Sequence, residues 1–495
     1  MIMRNTRKRF AAGVGALALM GSLGIGAAAS AAIGPDQPDA PDHGSLTINK
    51  YKGAPTTNPS DDDLLDGVEF TVTPIGRLSA DKSTCTAIDL TDSAQWDGID
   101  ALYPATAGTA APTPTDPFCL VTDKAVTETT DDGQIKIDPI DIGLYYVEEG
   151  TDTGNNDIVS KVPNFVISVP YSNGSAADGW NYNVVVNPKN AVMNAPTKTI
   201  ADRPDALVVG GEVTWTMTVP IPQLNNDETF NEAIITDALD SRLTYVPNSS
   251  VVTIDGTTVA SSNYGVTGNA VWTFNADGRT LLNSNMGKDM LITFKTTVDS
   301  VGGGAIANDD YSSKFNGTTV PGEPEPYTYW GQLSILKTDN STPAKNLSGA
   351  EFKVFEKGTA ECPAAAPATG AVATGTSNST GVVQWAGATP ASPLGLWVAN
   401  VNNGPATPTP TKDYCLYETK VPAGHTATPI TNPVTITPGT EHVNALTVVN
   451  AKKDGPSLPL TGAQGTLLMV VRGLVLVAAG TGAVVATRKR QAAQD

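Results

Sequence analysis

The chain carries the same set of marks twice, far apart. "LTINK" at 46–50 returns as "LSILK" at 333–337, and "LDGVEFTV" from Leu65 returns as "LSGAEFKV" from Leu347. "YYVEE" at 145–149 returns as "YCLYE" at 414–418. Several segments recurring in one order read as two copies of a single domain type. Whatever that unit is, it must be stable as a module and tolerate being strung with others. Its segments alternate apolar and polar residues, as do "WNYNVVV" from Trp180 and "EVTWTMTV" from Glu212. That is the period of a strand with one buried face. Long apolar runs of helical period are absent from the body of the chain, and clusters of Gly, Pro, Thr and Asn separate the strands. The expectation is an all-β chain of three tandem Ig-like β-sandwiches, elongated rather than merged. Boundaries fall near 191 and 331, giving domains at 32–190, 191–330 and 331–455. "AGTAAPTPTDP" and "NGPATPTPT" read as surface loops.

The two ends are of a different kind. Arg4, Arg7, Lys8 and Arg9 precede an uncharged small and apolar run, and Ala29, Ser30 and Ala31 form an A-x-A site. Residues 1–31 therefore read as a secretory signal peptide. At the other end, "LPLTG" precedes an apolar stretch at 465–487 and the basic Arg488, Lys489 and Arg490. The stretch is long enough to span a bilayer with its basic stop in the cytoplasm. Removing residues 1–31 and 462–495 takes away eight basic residues and one acidic residue, leaving a net charge of −26. Such a surface repels phosphate backbones, so nucleic acid is not an expected partner.

Little in the chain suggests conventional catalysis. Four cysteines in an exported protein imply two disulfides, most simply Cys85 with Cys119 and Cys362 with Cys415. A thiol nucleophile is then not expected. His43, His425 and His442 fall in tail, turn and loop sequence, with no triad, metal-ligand or phosphate-loop spacing around them. Neither metal nor cofactor is expected, and no multiple-turnover enzyme.

The unusual chemistry lies in polar residues of inward parity. Leu333, Ile335 and Lys337 share a strand face, as do Tyr414, Leu416 and Glu418, and Leu446, Val448 and Asn450. Isolated buried charges are too costly to be incidental. A buried salt bridge with an amide neighbour is one reading. The other is an amide bond from Lys337 Nζ to the Asn450 side-chain carbonyl, with release of ammonia. Burial lowers a lysine pKa from about 10.4 toward a neutral amine. It raises a carboxyl pKa, so that Glu418 can polarise the amide and relay protons. In the middle third, Lys198, Asp237 and Asn308 have the matching parity, with Asp240 a rival for Asp237. In the first third, Lys50, Glu149 and Asn190 form a third candidate set, although "YYVEEG" lacks the Thr and Pro that follow Glu418. Whether a third bond forms there is left open.

These segments resemble a known family. "YCLYETKVPAG" is similar to the E-box of CnaB-type pilin domains, whose glutamate promotes such an isopeptide bond, and the middle third resembles CnaA-like pilin domains. The resemblance implies Glu418 and Asp237 as catalytic acids and a CnaB-, CnaA-, CnaB-like order. Leu458, Pro459, Leu460, Thr461 and Gly462, with the span and basic tail at 456–495, resemble a cell-wall sorting signal, cut by sortase between Thr461 and Gly462. "WNYNVVVNPKN" resembles the pilin motif W-x-x-x-V-x-V-Y-P-K: Trp180, Val184, Val186, Pro188 and Lys189 match, and Asn187 replaces the tyrosine. Strand parity sets Asn190 inward and Lys189 on the solvent face, where it could attack the acyl-enzyme of another copy. The resemblance as a whole is to major shaft pilins of sortase-assembled Gram-positive fimbriae of the SpaA/FimP type. The partners it implies are identical subunits, pilin-specific and housekeeping sortases, peptidoglycan and a tip pilin. The place it implies is the cell wall, as a surface fimbria supporting adhesion. A monomeric wall-anchored adhesin, with Lys189 an inert solvated cation, is the alternative.

Overall fold

In the strand Glu212–Pro220, Val213, Trp215, Met217 and Val219 are fully buried, while the residues between them are half-exposed. Its partner Asp289–Val298 answers in register, Trp215 opposite Phe294 and Met217 opposite Ile292. Each such side chain contributes about 1.5–3 kcal/mol when removed from water. The one inward hydroxyl, Thr296, accepts a 2.9 Å hydrogen bond from Trp215 Nε1, so no polar group is stranded there. The same alternation recurs in Ala233–Asp237 and Tyr311–Phe315, whereas Phe165–Val169 is buried along its whole length.

The computed structural model describes residues 33–53, 60–106, 109–172, 179–225, 228–268, 270–430 and 433–453. The expected signal peptide and the LPLTG segment with its span, Thr461 included, lie outside the described residues. Among the described residues the chain is all-β but for short 3-10 turns and one α-helix, Ala276–Asn283, whose N-terminus is capped by Asn275. Three two-sheet sandwiches succeed one another. In the first, Asn183–Val186, His43–Asn49 and Gln134–Asp141 form one sheet. It faces Phe165–Val169, Gly143–Thr153, Val68–Leu78 and Cys85–Ala87. The middle sandwich stacks the sheet containing Thr197–Ile200, Glu212–Pro220 and Asp289–Val298 on one containing Ala233–Asp237 and Tyr311–Phe315. In the last, Tyr327–Asp339 lies between Gly439–Lys452 and Leu394–Val401, opposite a sheet centred on Glu351–Glu356 and Lys412–Lys420.

In the first and last sandwiches the opening and closing strands are neighbours and run parallel, Leu46 beside Val184 and Ile335 beside Leu446. This pairing sets residues from opposite ends of each unit side by side. The two junctions differ. One hydrophobic cluster runs through the middle and last sandwiches, whereas the first has a core of its own. Tyr327–Asp339 also pairs with Ala305–Ala307 of the middle sandwich before entering the last. At that junction a Cβ on Gly304 would lie 2.1 Å from Gly439 N, so this close approach requires glycine.

Candidate functional site

The stretch from Trp180 to Val192 is not one strand but three short ones. Trp180–Asn181 pairs with Tyr171–Ser172, and Asn183–Val186 with the opening strand. After Pro188, which offers no N–H to a ladder, Lys189–Val192 pairs with Tyr51–Lys52 on one side and Ile158–Ser160 on the other. The opening strand breaks at the same level, after Asn49. Lys50 and Asn190 are thus brought together at the paired breaks.

Around them sits a closed triangle. Lys50 Nζ donates to Asn190 Oδ1 at 2.5 Å and to Glu149 Oε2 at 2.8 Å, and Asn190 Nδ2 donates to Glu149 Oε1 at 2.7 Å. Lys50 and Asn190 are fully buried, and the Glu149 side chain is 1% exposed. Desolvation lowers the Lys50 ammonium to about 8, against the opposing pull of Glu149. The amine therefore lies in contact with the amide it would attack.

The middle sandwich repeats the composition with a shorter acid. Lys198 Nζ donates to Asp237 Oδ1 at 2.8 Å and to the Asn308 main-chain carbonyl at 2.9 Å. Asn308 Nδ2 donates to Asp237 Oδ2 at 3.2 Å, and Asn308 Oδ1 is buried without a partner. Burial lowers the pKa of Lys198 and raises that of Asp237. The lysine also stands 4.1 Å from the ring centroid of Tyr311. Asp240 is turned to Arg242, accepting from Nε at 2.8 Å and Nη2 at 2.7 Å, and Asp237 takes the place beside the lysine.

In the last sandwich Lys337, Glu418 and Asn450 converge, with Lys337 and Asn450 fully buried. Asn450 Nδ2 donates to Glu418 Oε1 at 2.7 Å, and Lys337 Nζ lies 3.9 Å from the same oxygen. Lys337 spends hydrogen bonds on the carbonyls of Val448, at 3.0 Å, and Thr338, at 3.3 Å. Asn450 Oδ1 and Glu418 Oε2 are buried and unpartnered. Burial again lowers the lysine pKa and raises the carboxyl's. Cys362–Cys415 is a disulfide beside this site, and Cys85–Cys119 is one in the first sandwich.

Lys189 departs from its expected place. Parity put it on a solvent face, yet it is 5% exposed. The parity holds, since Asn190 points inward and Lys189 does not. The lysine lies at the junction with the next domain. Lys189 shares its face with Ala191, which packs into the cluster of the middle sandwich, and Asn225 of that sandwich reaches the Lys189 carbonyl. Desolvation lowers the Lys189 pKa. Among the described residues no carboxylate forms an ion pair with it, in contrast to Lys50, Lys198 and Lys337. Asn187, where the motif has tyrosine, accepts a 3.0 Å hydrogen bond from Asn49 Nδ2. Asn225 was invisible in the sequence, where nothing separates it from the adjacent Asn226.

Comparison with known proteins gives these sites a context. Residues 39–191 match the family model of the Gram-positive pilin subunit D1, N-terminal domain. The chain is 31% identical to fimbrial subunit type 2 of Actinomyces naeslundii, over 98% of this chain and 96% of that protein. It is 25% identical to fimbrial subunit type 1 of Actinomyces viscosus, over 72% and 74% of the two. Its fold is similar to that of the full-length major pilin SpaD from Corynebacterium diphtheriae, with a TM-score of 0.55 at 24% identity, over 83% of this chain and 98% of the other. A full-length relationship, a matched pilin domain and a shared fold agree: the chain belongs to the family of Gram-positive fimbrial subunits, the structural proteins of surface pili.

Proposed function

We propose that this protein is the shaft subunit of a covalently joined pilus, with three sandwiches divided near residues 191 and 331. A sortase cuts Thr461–Gly462, and Lys189 Nζ of a second copy attacks the resulting acyl-enzyme. The new bond joins Lys189 Nζ to the Thr461 carbonyl, and the sortase thiol leaves. Repetition makes the shaft, and transfer of the last acyl group to peptidoglycan anchors it in the wall. A tip pilin completes the fibre.

Within each subunit, the amine of Lys50, Lys198 or Lys337 attacks Cγ of Asn190, Asn308 or Asn450. The Nζ–Cγ bond forms, the Cγ–Nδ2 bond breaks, and protons lost by Nζ pass through Glu149, Asp237 or Glu418 to the departing ammonia. Each site turns over once. The fixed triangles replace a bimolecular encounter by proximity. The carrying observation is the contrast among four buried lysines. Three face a carboxyl and an asparagine of their own sandwich, and Lys189 has no such carboxylate among the described residues.

Lys189→Arg keeps the charge and removes the nucleophilic amine. Immunoblots of boiled wall extracts should then lose the high-mass ladder and retain single subunits. A full ladder in that mutant would refute the assignment of Lys189. Single subunits from wild-type walls would instead favour a monomeric anchored adhesin.

A further inference from the structure

Lys189 is buried at the junction with the middle sandwich, and Asn225 of that sandwich reaches back to its main chain. Asn225 is 3% exposed. Its Nδ2 lies 2.8 Å from the Lys161 carbonyl, 3.3 Å from that of Lys189 and 3.4 Å from that of Ser160. Its main-chain N–H donates to Ser160 Oγ at 3.0 Å. One amide nitrogen thus grips both the strand that carries Lys189 and the strand Ile158–Ser160 paired with it. Its own Oδ1 is buried without a partner, which disfavours the closed contact. A second bond across the junction, from Thr318 Oγ1 to the Ile158 carbonyl, falls on the same strand.

An amine attacks a carbonyl carbon from about 3–3.5 Å. A lysine 5% exposed cannot bring an enzyme-bound thioester that close. We propose that Asn225 is a positioning residue for acylation of Lys189: its grip docks the middle sandwich against the strand that carries the lysine, and the lysine reacts from the state in which that grip is released. Most of the first sandwich's core is a cluster of its own, with only Val159 of its strand Ile158–Ser160 joining the cluster that the middle and last sandwiches share, so this junction is the one more able to open. The inference rests on Lys189 as the joining nucleophile, but its test does not.

The folded, secreted chain is pulsed with an N-hydroxysuccinimide ester of acetic acid, and acetylation is quantified lysine by lysine by tryptic mass mapping. In the wild type, Lys189 should react far more slowly than Lys82 and Lys136, whose side chains are 64% and 55% exposed. Asn225→Ala and Asn225→Asp remove the grip, the latter by setting oxygen against the carbonyls. Both should speed acetylation of Lys189 about tenfold, equivalent to ~1.4 kcal/mol in the opening equilibrium. Lys82 and Lys136 should be unaffected. Ser160→Ala, made in the first sandwich, should act in the same direction and less strongly. Equal labelling of Lys189 in wild type and Asn225→Asp overturns the proposal, as does a rise seen only where the melting temperature has also dropped. The reagent reports the grip whatever Lys189 does in the cell, whereas the ladder of Lys189→Arg tests only that role.

Discussion

At the scale of single residues, the three triads have the same ingredients and different hydrogen bonds. Lys50 already touches its amide oxygen, whereas Lys198 and Lys337 are held partly by main-chain carbonyls. In the first sandwich the step that remains is deprotonation of an amine whose pKa burial has brought to about 8. Lowering a lysine pKa favours its neutral form, so below that value the reactive fraction falls about tenfold per pH unit, and above it the fraction saturates. Full chain released from cell-free synthesis between about pH 6 and 9 should therefore join its Lys50 and Asn190 peptides faster as pH rises, levelling above about 8. A rate independent of pH would mean that amine deprotonation does not limit the bond. Parity alone reads Lys337, Asn450 and Asn190 as inward-facing. It cannot read which carbonyl a lysine chooses, because that depends on backbone a strand away. The first triad was ambiguous for a related reason: the motif after Glu149 lacks Thr and Pro, while the contact with Lys50 depends on two strand breaks falling at the same level.

Among elements, the decisive fact is which strands are tied. The opening strand His43–Asn49 and the closing strand Asn183–Val186 are parallel neighbours, and so are Tyr327–Asp339 and Gly439–Lys452. A bond from Lys337 to Asn450 closes a loop of about a hundred residues. By analogy with a disulfide, it would add about 4–5 kcal/mol by restricting the unfolded chain. Glu418→Ala keeps Lys337 and Asn450 adjacent but removes the acid between them. Tryptic mapping should find their peptides separate, with the last sandwich melting at lower temperature and cleaved more readily by proteases. Cys362–Cys415 should still form, since Cys415 packs with Phe355 and Tyr417 on the other face. Joined Lys337 and Asn450 peptides in this mutant would show that another group drives the reaction. Strand alternation made these elements legible, but the burial of Lys189 was not. Strand parity carries no information about the junction with the following domain, where Lys189 lies.

At the scale of the whole molecule, the described residues form a first sandwich with its own core and a middle–last pair sharing one. Differential scanning calorimetry of a chain with all three asparagines changed to alanine, which removes the crosslinks, should resolve two transitions rather than three. Independent melting of the middle and last sandwiches would show that their common cluster does not couple them. In the wild-type chain, intact mass should fall short of the sequence value by three ammonias after allowing for the disulfides. A deficit of none would leave three buried ion pairs with amide neighbours and no crosslink at all.

The parallel pairing of first and last strands has a consequence for ancestry. A unit whose chain enters at one pole and leaves at the other can be copied in tandem without reversing the chain's direction. Duplication of such a segment lengthens a fibre and leaves every earlier unit as it was. The recurrence of "LSGAEFKV" after "LDGVEFTV" is what such an event would leave behind. Length in this architecture can be inherited by repetition, one sandwich at a time.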